Sequence, residues 1–170
     1  MGKKVLILDL DETLVHREST KQPSTSFLIH FLANGKVVTR YICKRPKVDE
    51  FLETLKPFYT IHIFTAGYEQ FTNKALDVLD PCGDIFESIF YNDSCTYYGE
   101  GIYQKDLTKI CADLTQAMAI DDTPDAFIHK SNSIVVKPFY NDMQDCELDA
   151  IAKFLLSIKD AVDIWTECSS

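Results

Sequence analysis

Val5-Leu6-Ile7-Leu8-Asp9-Leu10-Asp11-Glu12-Thr13 is the stretch that decides the fold of this chain. Its first four residues are apolar without alternation, which predicts a strand buried on both faces, as in a parallel sheet. The run stops at Asp9. Two later runs end in the same way: Tyr59 to Phe64 leads into Thr65-Ala66-Gly67, and Ala117 to Ile120 leads into Asp121-Asp122. In an open parallel sheet the carboxyl ends of the strands line one crevice, and ligands bind there. Carboxylates and hydroxyls at three such ends are therefore expected to converge.

The rest of the chain supplies the helices that such a sheet needs. After Pro46, Val48, Phe51, Leu52 and Leu55 fall on one helical face, and Pro57 ends it. A second helix runs to about Leu79 with Phe71, Ala75, Val78 and Leu79 as its apolar face, and Pro81 marks its end. Phe86 to Tyr91 and Ile134 to Val136 predict further strands, and Asp106 to Asp113 a helical turn. Thr123-Pro124 predicts the start of a short helix, with Thr as N-cap and Pro at the first helical position. Asp145 is expected to cap a C-terminal helix whose face is Leu148, Ile151, Ala152, Leu155 and Ile158. Arg17 to Ser26 reads as a polar connection. Beyond it, Phe27 to Ala33 and Lys36 to Cys43 flank Asn34-Gly35, the pair preferred in a type I′ hairpin turn. Cys95 to Tyr103, with Gly99 and Gly101, predicts a small hairpin or flap, with Tyr97, Tyr98 and Tyr103 read as its core in preference to a substrate cradle. Strands alternating with helices imply an α/β fold with a parallel sheet and a small β-hairpin insertion after the first strand.

A length of 170 residues suits one domain, residues 1–170, and 46% hydrophobic residues suffice for a core. The formal net charge of −9 argues against direct nucleic-acid binding, which requires a basic footprint. It does not exclude an anionic substrate, because a metal ion and a few local cations can reverse the field inside a cleft. The cysteines (Cys43, Cys82, Cys95, Cys111, Cys146 and Cys168) form no CxxC pair and read as buried small hydrophobes. With no secretory signal, reduced thiols in a nuclear or cytoplasmic protein are the simplest reading. Gly2 invites comparison with a myristoylation site, but Leu6 stands where Ser or Thr is needed. No apolar stretch approaches the roughly 20 residues of a membrane span.

Carboxylates converging on one point repel each other unless a cation holds them. Hard oxygen ligands without His or Cys favour Mg²⁺. A carboxylate beside Mg²⁺ can attack phosphorus, and a second one two residues on can protonate the leaving oxygen and then activate water. A nearby lysine would offset the charge developing on the phosphoryl oxygens. A calcium loop also begins Asp-x-Asp, but Leu14 replaces its required Gly and Thr20 its bidentate Glu, so that reading fails.

Asp9-Leu10-Asp11-Glu12-Thr13 resembles the signature of the haloacid dehalogenase superfamily phosphatases. The extended series is Asp9 to His16, Lys44-Arg45-Pro46, Phe64-Thr65-Ala66, Lys105-Asp106-Leu107, Asp121-Asp122 with Pro124, and Asn141-Asp142 with Asp145. It is similar to the small RNA polymerase II C-terminal-domain phosphatases, the NLI-interacting-factor-like branch, over about residues 4–160. The resemblance implies a Rossmann-like parallel sheet flanked by helices. The cap should be small, since about 50 residues separate Asp9 from the second long strand and about 40 separate Thr65 from Lys105, too few for a lid domain. It implies Asp9 as nucleophile and metal ligand, and Asp11 as general acid/base with its carbonyl on the metal. Thr65 and Lys105 would hold the phosphoryl group, and Asp121 and Asp122 would complete the Mg²⁺ site. Arg45 is carried as a phosphate-binding candidate, against a plain pairing role at the helix start. Relatives acting on phosphoserine peptides usually carry an arginine where this chain reads Phe90-Tyr91-Asn92-Asp93. The expected function is a Mg²⁺-dependent protein serine/threonine phosphatase, monomeric, with a phosphoprotein such as the RNA polymerase II C-terminal domain as partner. Another phosphoprotein, a small phosphomonoester, or a non-catalytic binding module of the same fold stand as alternatives.

Overall fold

The computed structural model of the chain describes residues 2–167. In chain order the elements are β1 (Lys4–Leu8), β2 (Val15–Glu18), β3 (Phe27–Ala33), β4 (Lys36–Lys44), α1 (Val48–Leu55), β5 (Tyr59–Phe64) and α2 (Glu69–Leu79). They continue with β6 (Phe86–Phe90), β7 (Thr96–Tyr97), β8 (Tyr103–Gln104), β9 (Ala117–Asp121), β10 (Ser133–Val135), α3 (Glu147–Ser157) and α4 (Ile164–Glu167). β1 is central in a five-stranded sheet of order β10-β9-β1-β5-β6, with every pair parallel. Leu8 lies opposite Ile63 on one side and Ile120 on the other. That register brings Asp9 level with Asp121, so the polar ends of β1, β5 and β9 share one edge.

Strands buried on both faces need apolar partners on both. Leu6 and Leu8 join Ile61, Ile63, Met118 and Ile120 in one cluster with buried residues of α1, α2 and α3. Ile7, on the opposite face of β1, packs with Phe64, Ala117, Ala119, Leu107 and Phe127. This second cluster is closed by short turns and connections. Burial of each such side chain is worth about 1.5–3 kcal/mol. Among the described residues no helix is long and apolar enough to cross a membrane.

The hairpin forms as expected. Asn34 (φ 51°) and Gly35 (φ 73°) both take left-handed backbone, the geometry of a type I′ turn. It belongs, however, to a three-stranded antiparallel sheet of order β2-β4-β3. β2 occupies the start of the segment read as a polar connection, because its outward-facing residues are polar while Val15 is buried against β4. On α2 the buried stripe is Phe71, Thr72, Ala75, Leu76 and Leu79; Leu76, not Val78, faces the core, because Phe71 and Thr72 together set the stripe. The N-cap of α3 is Cys146, and Asp145, one residue earlier, accepts the Glu147 amide at 3.1 Å.

Thr123-Pro124 does not start a helix. Asp125 is left-handed (φ 65°), and the chain then pairs with Lys105: Lys105 N donates to Ala126 O (2.8 Å) and Ile128 N to Lys105 O (3.0 Å). A helix would have spent these backbone groups locally; instead they fix the backbone of Lys105. The flap also departs from expectation. Tyr97 stacks on Tyr103 at 4.8 Å, but Tyr97 and Tyr98 are exposed, so a two-residue ribbon provides no aromatic core. Of the cysteines, only Cys43 is buried among the described residues; Cys82 and Cys146 are exposed, Cys95 and Cys111 half-buried, and Cys168 lies outside the described residues.

Phe127 packs on the face of the sheet opposite α1, α2 and α3, and it lies against Lys105. Phe127→Ala is expected to cost about 3–5 kcal/mol of stability, read from the midpoint of urea denaturation.

Candidate active site

Immediately beyond β1 the chain turns tightly on itself. Leu14 N and Val15 N both donate to Leu10 O (2.9 and 3.2 Å), and Glu12 is left-handed (φ 60°). Leu10 and Leu14 are fully buried. They pin the loop inward and leave Asp9, Asp11 and Glu12 on a cleft of about 1220 Å³. Asp9 N donates to Ile120 O at 2.9 Å, continuing the sheet ladder and fixing Asp9 beside Asp121. The Thr13 hydroxyl donates to Asp9 Oδ2 (3.0 Å) and accepts from Asp122 N (3.2 Å), so it ties the ends of β1 and β9 together.

Lys105 sits between the two strand-end carboxylates. Its Nζ donates to Asp9 Oδ1 at 2.7 Å and to Asp121 Oδ2 at 2.6 Å, and it lies 5.3 Å from the centre of the Phe127 ring. All three charged groups are buried. Burial alone would lower the pKa of the Lys105 ammonium, but Asp9 and Asp121 outweigh it and hold the pKa above the lysine range. Burial pushes Asp9 up to about 6 and Asp122 up to about 6, and raises Asp121 as well. One lysine thus does not fully compensate the carboxylates around it. Asp9, Asp121 and Asp122 each present a carboxylate oxygen, and these atoms lie within 4.8 Å of one another. A hard donor set with under-compensated charge fits a small divalent cation such as Mg²⁺.

Asp11 is set apart from that trio. Burial drives its pKa to about 7, and its Oδ1 is buried without a hydrogen-bond partner. The nearest cation is Arg17 on β2, with its NH2 3.9 Å from that oxygen. Thr65 lies buried just past β5, and its Oγ1 accepts Gly67 N at 2.9 Å. A Cβ at Gly67 would lie 3.1 Å from Thr65 Oγ1, 3.2 Å from Thr72 Oγ1 and 3.3 Å from Asp11 Oδ2. The bare glycine therefore lets two threonine hydroxyls and a carboxylate approach one point.

The structure brings Asp9, Asp11, Thr65, Lys105, Asp121 and Asp122 to one cleft. It does not bring Arg45 there, which corrects the expectation of a phosphate-binding arginine. Arg45 is fully buried under the loop and does not line the cleft. Its Nε and NH2 each donate to an Asp145 oxygen at 2.8 Å, NH1 to Thr13 O (3.1 Å) and NH2 also to Lys137 O (2.7 Å). Its donors are consumed in holding the loop from behind. Burial alone would raise the pKa of the Asp145 carboxyl; the Arg45 guanidinium outweighs it and holds the pKa below the usual range. Sequence reasoning missed Arg17, Gly67 and Thr72. Thr72 carried a signal, a hydroxyl on the apolar face of α2. Arg17 carried none once β2 was read as a connection.

The model of a family described as NLI interacting factor-like phosphatase matches residues 4–164. Phosphatase Herzog of Drosophila melanogaster is 36% identical over 87% of this chain and 42% of its own length. The human carboxy-terminal domain RNA polymerase II polypeptide A small phosphatase 2 is 31% identical over 97% of this chain and 60% of its own. The chain spans about half the length of these curated relatives. Among solved structures, the fission yeast RNA polymerase II CTD phosphatase Fcp1 superposes with a TM-score of 0.67 at 21% identity, over 93% of this chain and 53% of that one, a likeness of fold.

Two predictions follow from this geometry. Arg45→Ala leaves Asp145 buried without its partner and should cost about 3–5 kcal/mol in chemical denaturation, whereas a phosphate-binding arginine would leave stability untouched. The second concerns pH. With Asp11 raised from 3.8 to about 7, folding is favoured in full below pH 4, and that contribution is lost as pH rises through 7. Metal-free protein should therefore melt at a lower temperature at pH 8 than at pH 5, and Asp11→Asn should reduce that difference.

Proposed function

This chain belongs to the NLI interacting factor-like phosphatase family, and on that premise we propose that it is a Mg²⁺-dependent phosphoprotein phosphatase working through an aspartyl phosphate on Asp9. The observation that carries this reading is the buried Asp9–Lys105–Asp121 arrangement at the ends of adjacent strands, with Asp11 in the same cleft.

In the first step a carboxylate oxygen of Asp9 attacks phosphorus, and the bond to the leaving serine or threonine oxygen breaks. Asp11 gives that oxygen its proton; a carboxyl titrating near 7 holds one to give at neutral pH. In the second step Asp11, now ionised, takes a proton from water. The water oxygen attacks phosphorus and the bond to Asp9 breaks, which restores Asp9 and releases inorganic phosphate. Lys105 and the Thr65 hydroxyl and loop amides stabilise the phosphoryl oxygens as charge shifts onto them. Thr13 and the sheet ladder hold Asp9 in its attacking orientation. Asp9, Asp121 and Asp122 would hold Mg²⁺, with the Asp11 carbonyl alongside, and the ion supplies Lewis-acid stabilisation of the phosphoryl charge.

The relatives' names and the apolar rim of the cleft support a substrate class. Phosphoserine or phosphothreonine in a protein is the substrate, and the RNA polymerase II C-terminal domain named in the relatives is the model partner. The rim carries Leu32, Tyr68 and Ile102 exposed around the acidic centre, a surface suited to a peptide. A nuclear or cytoplasmic setting goes with that substrate.

The test is hydrolysis of an aryl phosphate with Mg²⁺ and with chelator. Turnover is expected only with metal and should fall about a thousandfold or more in Asp9→Asn. No turnover by metal-loaded protein, on the aryl phosphate or on phosphopeptides, would overturn the catalytic reading. Independently of activity, saturating Mg²⁺ should raise the melting temperature, and Asp121→Asn should abolish the rise.

A further inference from the structure

We propose that Arg17 is a substrate-binding residue that takes a second anionic group, a carboxylate or a phosphate carried one or two residues from the phosphorylated one. The identity of the substrate as a phosphopeptide rests on the reading above.

Among the described residues the cleft is lined by Asp9, Asp11, Glu12, Asp121, Asp122 and Asp125, against which stand two cations, Arg17 and Lys105. Lys105 is committed to Asp9 and Asp121, and Arg45 is buried behind the loop on Asp145. Lys105 keeps one further N–H, which the mechanism above directs to the transferred phosphoryl group, so among the described residues Arg17 is the lining cation left for a second anion. Its side chain is 42% exposed, and among the described residues it donates no hydrogen bond; the Asp11 oxygen at 3.9 Å lies beyond that reach.

The geometry then says how it would bind. The guanidinium carbon lies 4.3 Å over the centre of the Phe71 ring. A guanidinium held over a ring by cation–π attraction keeps N–H donors available along its edge. That edge matches a carboxylate or phosphate in two parallel hydrogen bonds. The platform is firm, because Phe71 is buried on α2 and packs edge-on against Phe31 of β3 at 5.9 Å. The side chain is thus pre-positioned, and less entropy is lost on binding.

Position supplies the register. Asp11 adjoins the leaving oxygen in the mechanism above, so Arg17 stands on the leaving-group side, where the substrate chain continues. An extended chain advances about 3.3 Å per residue, so a group one or two residues away reaches it. Elsewhere the cleft carboxylates repel an acidic side chain, which makes the preference local.

The test measures peptide binding by fluorescence anisotropy to protein carrying Asp9→Asn, so that bound peptide is not consumed. One phosphoserine peptide is flanked by alanines. Others place a single Asp, or a second phosphoserine, one or two residues away on either side. An anion at one of these positions should tighten Kd about tenfold. Arg17→Ala should bring that ratio near unity and Arg17→Glu should invert it, while Arg17→Lys, which keeps the charge and loses the fork, should retain part of it. The Asp and phosphoserine series separate a carboxylate ligand from a phosphate. Equal ratios with Arg17 and in the Arg17→Ala protein, both folded by circular dichroism, would overturn the proposal. Turnover of the alanine-flanked peptide by Asp9-intact, Mg²⁺-loaded protein is followed in parallel. Turnover without an anion preference rejects the role of Arg17 alone; an anion preference without turnover rejects the catalytic reading alone.

Discussion

Everything around the cleft answers to one electrostatic constraint: two carboxylates, Asp9 and Asp121, emerge side by side from neighbouring parallel strands into a buried setting. The ladder bond from Asp9 N to Ile120 O leaves them no freedom to separate. Lys105 between them is the local remedy, and its two short bonds hold both carboxylates in place. The remedy is partial, since burial still raises the pKa of both carboxyls. That residual demand for positive charge is what makes the site fit a small divalent cation.

The scaffold spends unusual segments on keeping this arrangement in register. The connection after β9 gives up a helix to pair with the backbone of Lys105 through Ala126 and Ile128. Arg45 reaches under the loop from the end of β4 and joins Thr13, Lys137 and Asp145. Thr13 in turn bridges Asp9 and Asp122. A buried guanidinium and a threonine hydroxyl thus set the position of the Asp9 carboxylate from behind the cleft. The cleft above them is shaped by two insertions, the β3–β4 hairpin and the flap, which with Tyr68 at the start of α2 supply the apolar rim.

Legibility in the sequence followed the range of the interaction. Val5 to Leu8 as a buried strand, the Asn34-Gly35 turn, and the α1 face of Val48, Phe51, Leu52 and Leu55 were all readable, because each depends on neighbours within a few residues. β2 was not, because a four-residue strand with a polar outer face has no local signature until β4 lies beside it. Thr123-Pro124 carried a genuine helix-start signal that lost to the pull of Lys105, some twenty positions earlier. The tyrosines of the flap looked like core because aromatic residues usually are, yet a two-residue ribbon buries too little surface to cover them.

What the sequence determined by itself was which residues could take part: runs of apolar residues ending in Asp9, Thr65 and Asp121, with a lysine at 105 matching a family order. Periodicity and covalent adjacency suffice for that. Tertiary structure alone decided the partnerships. It placed Lys105 between two carboxylates rather than in solvent, withdrew Arg45 from the cleft, and carried Arg17 into it. The reason is physical: the energy of a charged side chain depends on its burial and on the charges within a few ångströms, and those neighbours come from strands far apart in the chain.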